Sequence, residues 1–182
     1  MEKTGLFDLI SKYLINNLVD YAMGAEVGMD TNARKNRTGD VMEDIVESYL
    51  VKAGFKKNVT YFKEMYKSEI EEVFGLDLSR ISNNGKTENR FDFVFLKENH
   101  VYACECNFYG GDGSKLNETA RSYKTLALES RDIPNFTFVW LTDGAGWNSA
   151  RHNLEETFDM LDTIFRLKDL EDYKLGIVYR DN

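Results

Sequence analysis

Apolar residues recur along this chain at two spacings, and the switches between them mark its elements. Leu6, Leu9, Ile10, Tyr13, Leu14, Leu18 and Tyr21 follow helical spacing, which predicts a core-packed helix from Leu6 to about Met23. Gly24 to Gly39 reads as a loop carrying the basic run Arg34-Lys35-Asn36-Arg37. Thr38 or Asp40 is placed to cap a second helix, whose Val41, Met42, Ile45, Val46, Tyr49 and Leu50 turn inward and which stops near Gly54. Lys63 to Phe74 reads as an acidic helix, and Ser79 to Glu88 as a polar, turn-rich connection.

The period then drops to two. Arg90-Phe-Asp-Phe-Val-Phe-Leu96 and Val101-Tyr-Ala-Cys-Glu-Cys-Asn107 are short, aromatic and β-branched, so both predict strands. The polar Lys97-Glu98-Asn99-His100 between them predicts a hairpin. If Leu96 faces Val101, the register sets Asp92 opposite Glu105 on one face, with Asn107 beside them. Phe91, Phe93, Phe95, Cys104 and Cys106 then point the other way. Beyond the hairpin come a glycine loop (Phe108 to Gly113), a helix from Ser114 to about Ser130, and a buried strand from Phe136 to Leu141. A loop over Thr142 to Trp147 follows, then an amphipathic helix from Ser149 to about Leu167 and an edge strand from Leu175 to Tyr179. Helices, an antiparallel hairpin, then helix, strand and helix predict an α/β fold with a mixed central β-sheet flanked by helices.

Composition narrows the class. The 182 residues are 42% hydrophobic and 13% aromatic with a single proline, so a packed globular chain without a linker or repeat is expected. No apolar run is long enough to span a bilayer and the start lacks a signal-peptide pattern, so a cytoplasmic protein with no membrane partner is expected. Cys104 and Cys106 lie two apart on one strand, which suits neither a disulfide nor a zinc site and predicts small core residues. The net charge of −8 argues against nucleic acid when taken as a sum. Its distribution leaves room for a basic groove, because cations bunch at Arg34 to Arg37 and again at Lys115, Arg121 and Lys124.

Two carboxylates facing each other across a hairpin, with Cβ atoms roughly 4.5–5.5 Å apart, repel unless a cation or a shared proton lies between them. A hard divalent cation is the simplest occupant, and few oxygen ligands suit Mg²⁺. The carbonyl of Cys106 is a further oxygen next to the Glu105 side chain, and Glu43, on the polar side of the second helix, can approach the same cluster. The alternatives at this point are an exposed strand face with two unrelated acids, and a surface glutamate at 43. The loop Gly110 to Lys115 lacks the order of a P-loop, though a helix starting at Ser114 can meet an anion with its free N–H groups and Lys115. His100 and His152 have no partner motif, so a histidine triad is unsupported.

The stretch Glu105-Cys-Asn-Phe-Tyr-Gly-Gly-Asp-Gly-Ser-Lys-Leu-Asn-Glu-Thr-Ala-Arg-Ser-Tyr-Lys124 resembles the DpnII/MboI-type restriction endonucleases. So do Val27 to Asp40, Arg90 to Val94 and Trp140 to Trp147, and the resemblance runs from about Leu6 to Asp172. It implies a nuclease core of the restriction-endonuclease-like PD-(D/E)xK type and a type II enzyme that cuts double-stranded DNA at GATC. Cutting before G would use Mg²⁺-activated water and leave a four-base 5′ overhang with 5′-phosphate ends. A homodimer is implied, together with a companion DNA adenine methyltransferase in a restriction–modification system. Asp92 and Glu105 fall on the family's metal-binding acids, and Glu43 falls where such nucleases often carry a helix glutamate. Asn107 takes the usual lysine position and cannot be a general base, so Lys115 or Lys124 is expected to reach in from the following helix, Lys115 by preference. Base reading and backbone contact fall to Arg34, Lys35, Asn36, Arg37, Arg121, Lys124, Asn148 and Arg151, since Arg pairs with guanine and Asn with adenine. One nuclease domain over residues 1–182 is expected, short of an N-terminal region that familiar members carry. The rival readings are another nuclease on the same core that acts in DNA repair, and a DNA-binding relative that has lost catalysis.

Overall fold

A computed structural model describes residues 31–82, 87–110, 115–148 and 161–171, with 31–39, Ala145, Asn148, Lys168 and Glu171 described by backbone alone. In chain order the elements are α1 (Thr31–Lys52), β1 (Tyr61–Tyr66), α2 (Lys67–Phe74), β2 (Arg90–Lys97), β3 (His100–Phe108), α3 (Lys115–Ser130), β4 (Phe136–Asp143), a 3₁₀ turn (Ala145–Asn148), β5 (Ile164–Phe165) and α4 (Leu167–Glu171). The five strands form one mixed sheet in the order β1-β2-β3-β4-β5. β1/β2 and β2/β3 are antiparallel, whereas β3/β4 and β4/β5 are parallel. The parallel β3/β4 step needs a crossover, and α3 supplies it.

Helices cover both faces, as the α/β reading expects. Under α1, Met42, Ile45, Val46 and Leu50 pack on Phe93, Phe95, Cys104, Cys106, Val139 and Leu141. Under α3, Leu116, Ala120, Leu126 and Ala127 pack on Val94, Val101, Ala103, Phe136, Phe138 and Trp140. Each large apolar side chain so buried contributes about 1.5–3 kcal/mol. Both cysteines are buried core residues with free thiols.

Three expected element boundaries are corrected. The loop over Gly24 to Gly39 is helical from Thr31 onward, so the basic run and Gly39 lie inside α1, and neither Thr38 nor Asp40 is its cap. Nothing between Thr31 and Gly39 forbids a helix, and one interior glycine costs only about 1 kcal/mol. Lys63 to Tyr66 belongs to a strand, and only Lys67–Phe74 is helical. Tyr61 and Phe62 pair with Phe95 and Val94, and that sheet pairing outweighs the acidic-helix pattern. The helix expected to run to Leu167 does not do so: Ile164 and Phe165 are buried in β5 against Trp140 and Leu141. The predicted helix over 6–23, most of the helix from 149, the strand over 175–179 and the middle of the glycine loop lie outside the described residues.

Past β4 the chain doubles back at Gly144. The Tyr109 N–H donates to the Asp143 carbonyl (2.9 Å), and the Gly146 N–H donates to the Tyr109 carbonyl (2.8 Å). Gly144 sits at φ +116, and a Cβ there would run into the Tyr109 backbone. Gly54 is also left-handed, at φ +92, but opens onto free space. Gly144→Ala therefore adds a collision to the dihedral penalty that Gly54→Ala suffers alone. In urea unfolding, Gly144→Ala is expected to lose about 2 kcal/mol or more, and Gly54→Ala about 1 kcal/mol.

Candidate active site

The centre of the site is a place where β2 stops pairing normally. The β2/β3 ladder runs from Lys97↔His100 through Leu96↔Val101 to Phe93↔Cys104. The connection is a tight turn at Glu98 and Asn99, with Glu98 at φ 54, and it has the parity that the four-residue reading required. One more step would set Asp92 against Glu105. Instead the Asp92 carboxylate accepts the Cys106 N–H at 2.7 Å. On the other side, β1 pairs Lys63↔Phe93 and Met65↔Phe91, skipping Glu64, which sits at φ 56.

Both strands turn over at this point. Tyr61, Phe93 and Phe95 pack under α1, whereas Met65, Phe91 and Val94 pack on the α3 side. Phe91 was expected to share a face with Phe93. It lies across the sheet from it, its ring 6.2 Å from that of Phe138, because the backbone rotates at Asp92. A strand residue's N–H and C=O point to the same neighbouring strand. The Cys106 carbonyl therefore faces the same edge as the N–H that Asp92 holds.

Glu105 follows from β3 on the α3 face. It is 8% exposed and accepts the Tyr123 hydroxyl at 2.9 Å. Asn107, one period further, accepts the Trp140 indole N–H at 3.0 Å. Burial and then the Glu105 charge hold the Tyr123 phenol well above its usual range. From the α1 side comes Glu43, whose pKa is raised by burial and next by the charge of Asp92.

The counter-charge beside Glu43 is Lys63, which the helical reading of this segment did not single out. Its ammonium is 3.4 Å from Glu43 and 3.1 Å from Glu47, and 5.1 Å from the centre of the Phe93 ring. Glu47 also accepts Lys57 (2.9 Å) and the Tyr61 hydroxyl (2.8 Å). Burial alone would raise the Glu47 pKa, but these hydrogen bonds reverse it and hold it at about 2. A period-two reading of Tyr61 to Tyr66 was the signal that could have placed Lys63 beside Phe93. Tyr123 also went unmarked, because it falls in the apolar stripe of α3.

The structure thus brings Asp92, Glu105, Cys106 and Asn107 together, with Glu43 in the field of Asp92. Lys115 and Arg121 are exposed on α3, and Lys124 is half-buried there. Residues Arg34, Lys35, Asn36 and Arg37 lie on the first turns of α1, and Asn148 ends the 3₁₀ turn. Arg151 lies outside the described residues. Among the described residues, no three or more His, Cys, Asp or Glu side chains are grouped to hold a metal ion by themselves. Two carboxylates and a peptide carbonyl still fit Mg²⁺, which keeps several waters and takes one or two protein carboxylates. No helix among the described residues is long and apolar enough to cross a membrane.

Comparison with known proteins shows what the chain is similar to. The family described as DpnII restriction endonuclease matches residues 1–176. The type II restriction enzyme DpnII of Streptococcus pneumoniae is 57% identical over 94% of this chain. MjaIII of Methanocaldococcus jannaschii is 43% identical over 92% of it, and MboI of Moraxella bovis 36% over 95%. The matched parts are 59%, 58% and 58% of those three enzymes, so the chain spans about three fifths of the relatives' length.

The Glu47 cluster has a pH signature. A carboxylate held at about 2 in the folded chain, against 4.5 unfolded, adds stability above about pH 4.5 and loses it as pH falls toward 2. Glu47→Gln is expected to melt below the wild type at pH 7, and the gap is expected to close between pH 4.5 and 2 in thermal unfolding.

Proposed function

The chain belongs to the DpnII restriction endonuclease family, and from that premise we propose that it is a type II endonuclease cutting double-stranded DNA at GATC, before G, with a divalent cation held by Asp92, Glu105 and the Cys106 carbonyl. The observation that carries the proposal is the turnover of β2 at Asp92, which aims an acid and a peptide carbonyl at one edge beside the buried Glu105. Mg²⁺ suits that oxygen set, and when bound it supplies Lewis-acid stabilisation of the phosphoryl oxygens and a water of lowered pKa.

The remaining work falls to the protein. Asp92 and Glu105 would hold the cation at this edge, and so would set where the scissile phosphate sits. Glu43 is the third acid at the edge of the cluster, and burial and then the Asp92 charge favour its protonated form, which suits a group that takes up a proton. Attack by water at phosphorus breaks the P–O3′ bond, leaving a 5′-phosphate and a 3′-oxygen that takes up a proton. Lys115 or Lys124, on the helix after the glycine loop, neutralises the phosphate.

Arg34, Lys35, Asn36 and Arg37, with Asn148, Arg151 and Arg121, divide base reading from backbone contact. GATC is palindromic, so a two-fold homodimer presents one copy of this set to each half-site. A DNA adenine methyltransferase acting on the same sequence completes the system.

The test is incubation of unmethylated plasmid with the chain, in Mg²⁺ and in EDTA, followed by sequencing of the ends. Cuts before G of GATC, in Mg²⁺ only, are the expected result, and cuts spread over other sequences would overturn it. Asp92→Asn and Glu105→Gln are each expected to lower the cleavage rate by at least about a hundredfold. Melting in EDTA checks that each variant folds, since Asn and Gln keep an oxygen that can accept the Cys106 N–H and the Tyr123 O–H.

A further inference from the structure

Resting on the reading of Lys115 as a phosphate contact, we infer that Tyr109 is a positioning residue, which fixes the first turns of α3, and Lys115 with them, against the end of β3 and β4. Tyr109 is the first residue after β3, the strand that carries Glu105. Its backbone is fastened to the turn after β4. The N–H donates to the Asp143 carbonyl at 2.9 Å and the carbonyl accepts the Gly146 N–H at 2.8 Å, which carries the β3/β4 pairing past Phe108↔Asp143. The Asp143 carboxylate accepts the N–H groups of Gly144 (2.7 Å) and Leu167 (3.1 Å), so the turn is itself tied to the start of α4.

The Tyr109 ring is fastened as well. It stands edge-on to Trp147 at 5.2 Å, and Trp147 stands edge-on to Trp140 at 5.6 Å. Trp147 is buried, and its indole N–H donates to the buried Thr142 hydroxyl at 2.8 Å. Trp140 is the residue of β4 in register with Glu105. Tyr109 is therefore a rigid extension of the sheet end that holds the acid.

From that fixed base the Tyr109 hydroxyl reaches out and donates to Thr119 Oγ1 on α3 at 3.0 Å. Thr119 stands four residues after Lys115, on the same face of the helix one turn away. Leu116 and Ala120 hold the same turns on the sheet by apolar burial. Such burial is non-directional, so it presses the helix down without setting its travel along its own axis. A hydrogen bond weakens steeply when bent or stretched, and this one supplies the missing restraint. Lys115 is exposed on the turn so placed. The restraint matters to the rate, because a displacement of about 1 Å at a reacting centre costs on the order of a hundredfold.

The test is single-turnover cleavage in Mg²⁺ of a short unmethylated GATC duplex, with enzyme in excess so that product release does not mask the chemical step. The maximal rate and the half-saturating enzyme concentration are read separately. Wild type, Tyr109→Phe, Thr119→Val, Thr119→Ser, the Tyr109→Phe/Thr119→Val pair and Lys115→Met are compared. Phenylalanine keeps the ring on Trp147 and both backbone bonds, and melting checks that each variant folds. Tyr109→Phe and Thr119→Val are each expected to lower the maximal rate about tenfold, with half-saturation within about twofold of wild type. The pair is expected to fall no further than either change alone, because both remove one bond. Thr119→Ser keeps the hydroxyl and is expected to keep the wild-type rate. A slow Lys115→Met beside a folded Tyr109→Phe of wild-type rate would overturn the inference alone, whatever the melting points, since the bond would then serve stability only. Multiplying losses in the pair, or Thr119→Ser as slow as Thr119→Val, would overturn the bond as the cause. A wild-type rate in Lys115→Met, or a wild type that leaves GATC uncut, would remove the underlying reading and this inference together.

Discussion

The hydrogen bond from the Cys106 N–H to the Asp92 carboxylate is the constraint on which the rest of the site depends. It replaces a ladder contact with a side-chain one, and so it marks where β2 leaves β3. A strand that continued straight would leave Asp92 squarely facing Glu105, two acids in repulsion. By accepting a backbone donor, Asp92 keeps its charge stabilised while the chain turns over. The opposed positions of Phe91 and Phe93, one on each face, record that turn in the packing.

The two hydrophobic layers hold the acids from opposite sides. α1 brings Glu43 to the edge, where Lys63 and Glu47 tie it to β1. α3 brings Tyr123 against Glu105 on the other face. Neither helix needs to move for the carboxylates to converge, because each is anchored by core residues on the same turns: Met42 beside Glu43, and Ala120 and Ala127 flanking Tyr123. The charge that remains at the cluster is negative, and a divalent cation is its natural complement. The chain's overall charge of −8 says little about this edge, because acids also gather on surfaces such as Glu69–Glu72 on α2.

Much of this was legible in the sequence for definite physical reasons. Side-chain period two and an even-numbered turn were enough to set Leu96 opposite Val101 and to carry the register to Phe93 opposite Cys104, one step short of the expected pairing of Asp92 with Glu105. The run feeding α3 followed helical spacing and the one feeding β4 was almost continuously apolar, so their patterns sufficed. The misplacements share a cause, which is that tertiary pairing outweighed local preference. Tyr61 to Tyr66 became a strand because β2 offered it a partner, and Ile164 and Phe165 did so because β4 had an open edge. Lys63 and Tyr123 were hidden because their importance comes from what lies across the sheet, which no local window contains. The face reversal at Asp92 was hidden for a related reason: a strict alternation rule has no place for a backbone that rotates midway.

The edge where β2 leaves β3 is the proposed seat of a divalent cation. Manganese titrated into ¹⁵N-labelled protein tests it most directly, since the paramagnetic ion broadens the amide resonances nearest to it. The amides of Asp92, Glu105, Cys106 and Asn107 are expected to broaden first, and Asp92→Asn to abolish the effect there. Broadening that begins instead at the acidic surface of α2, leaving Cys106 sharp, would contradict it.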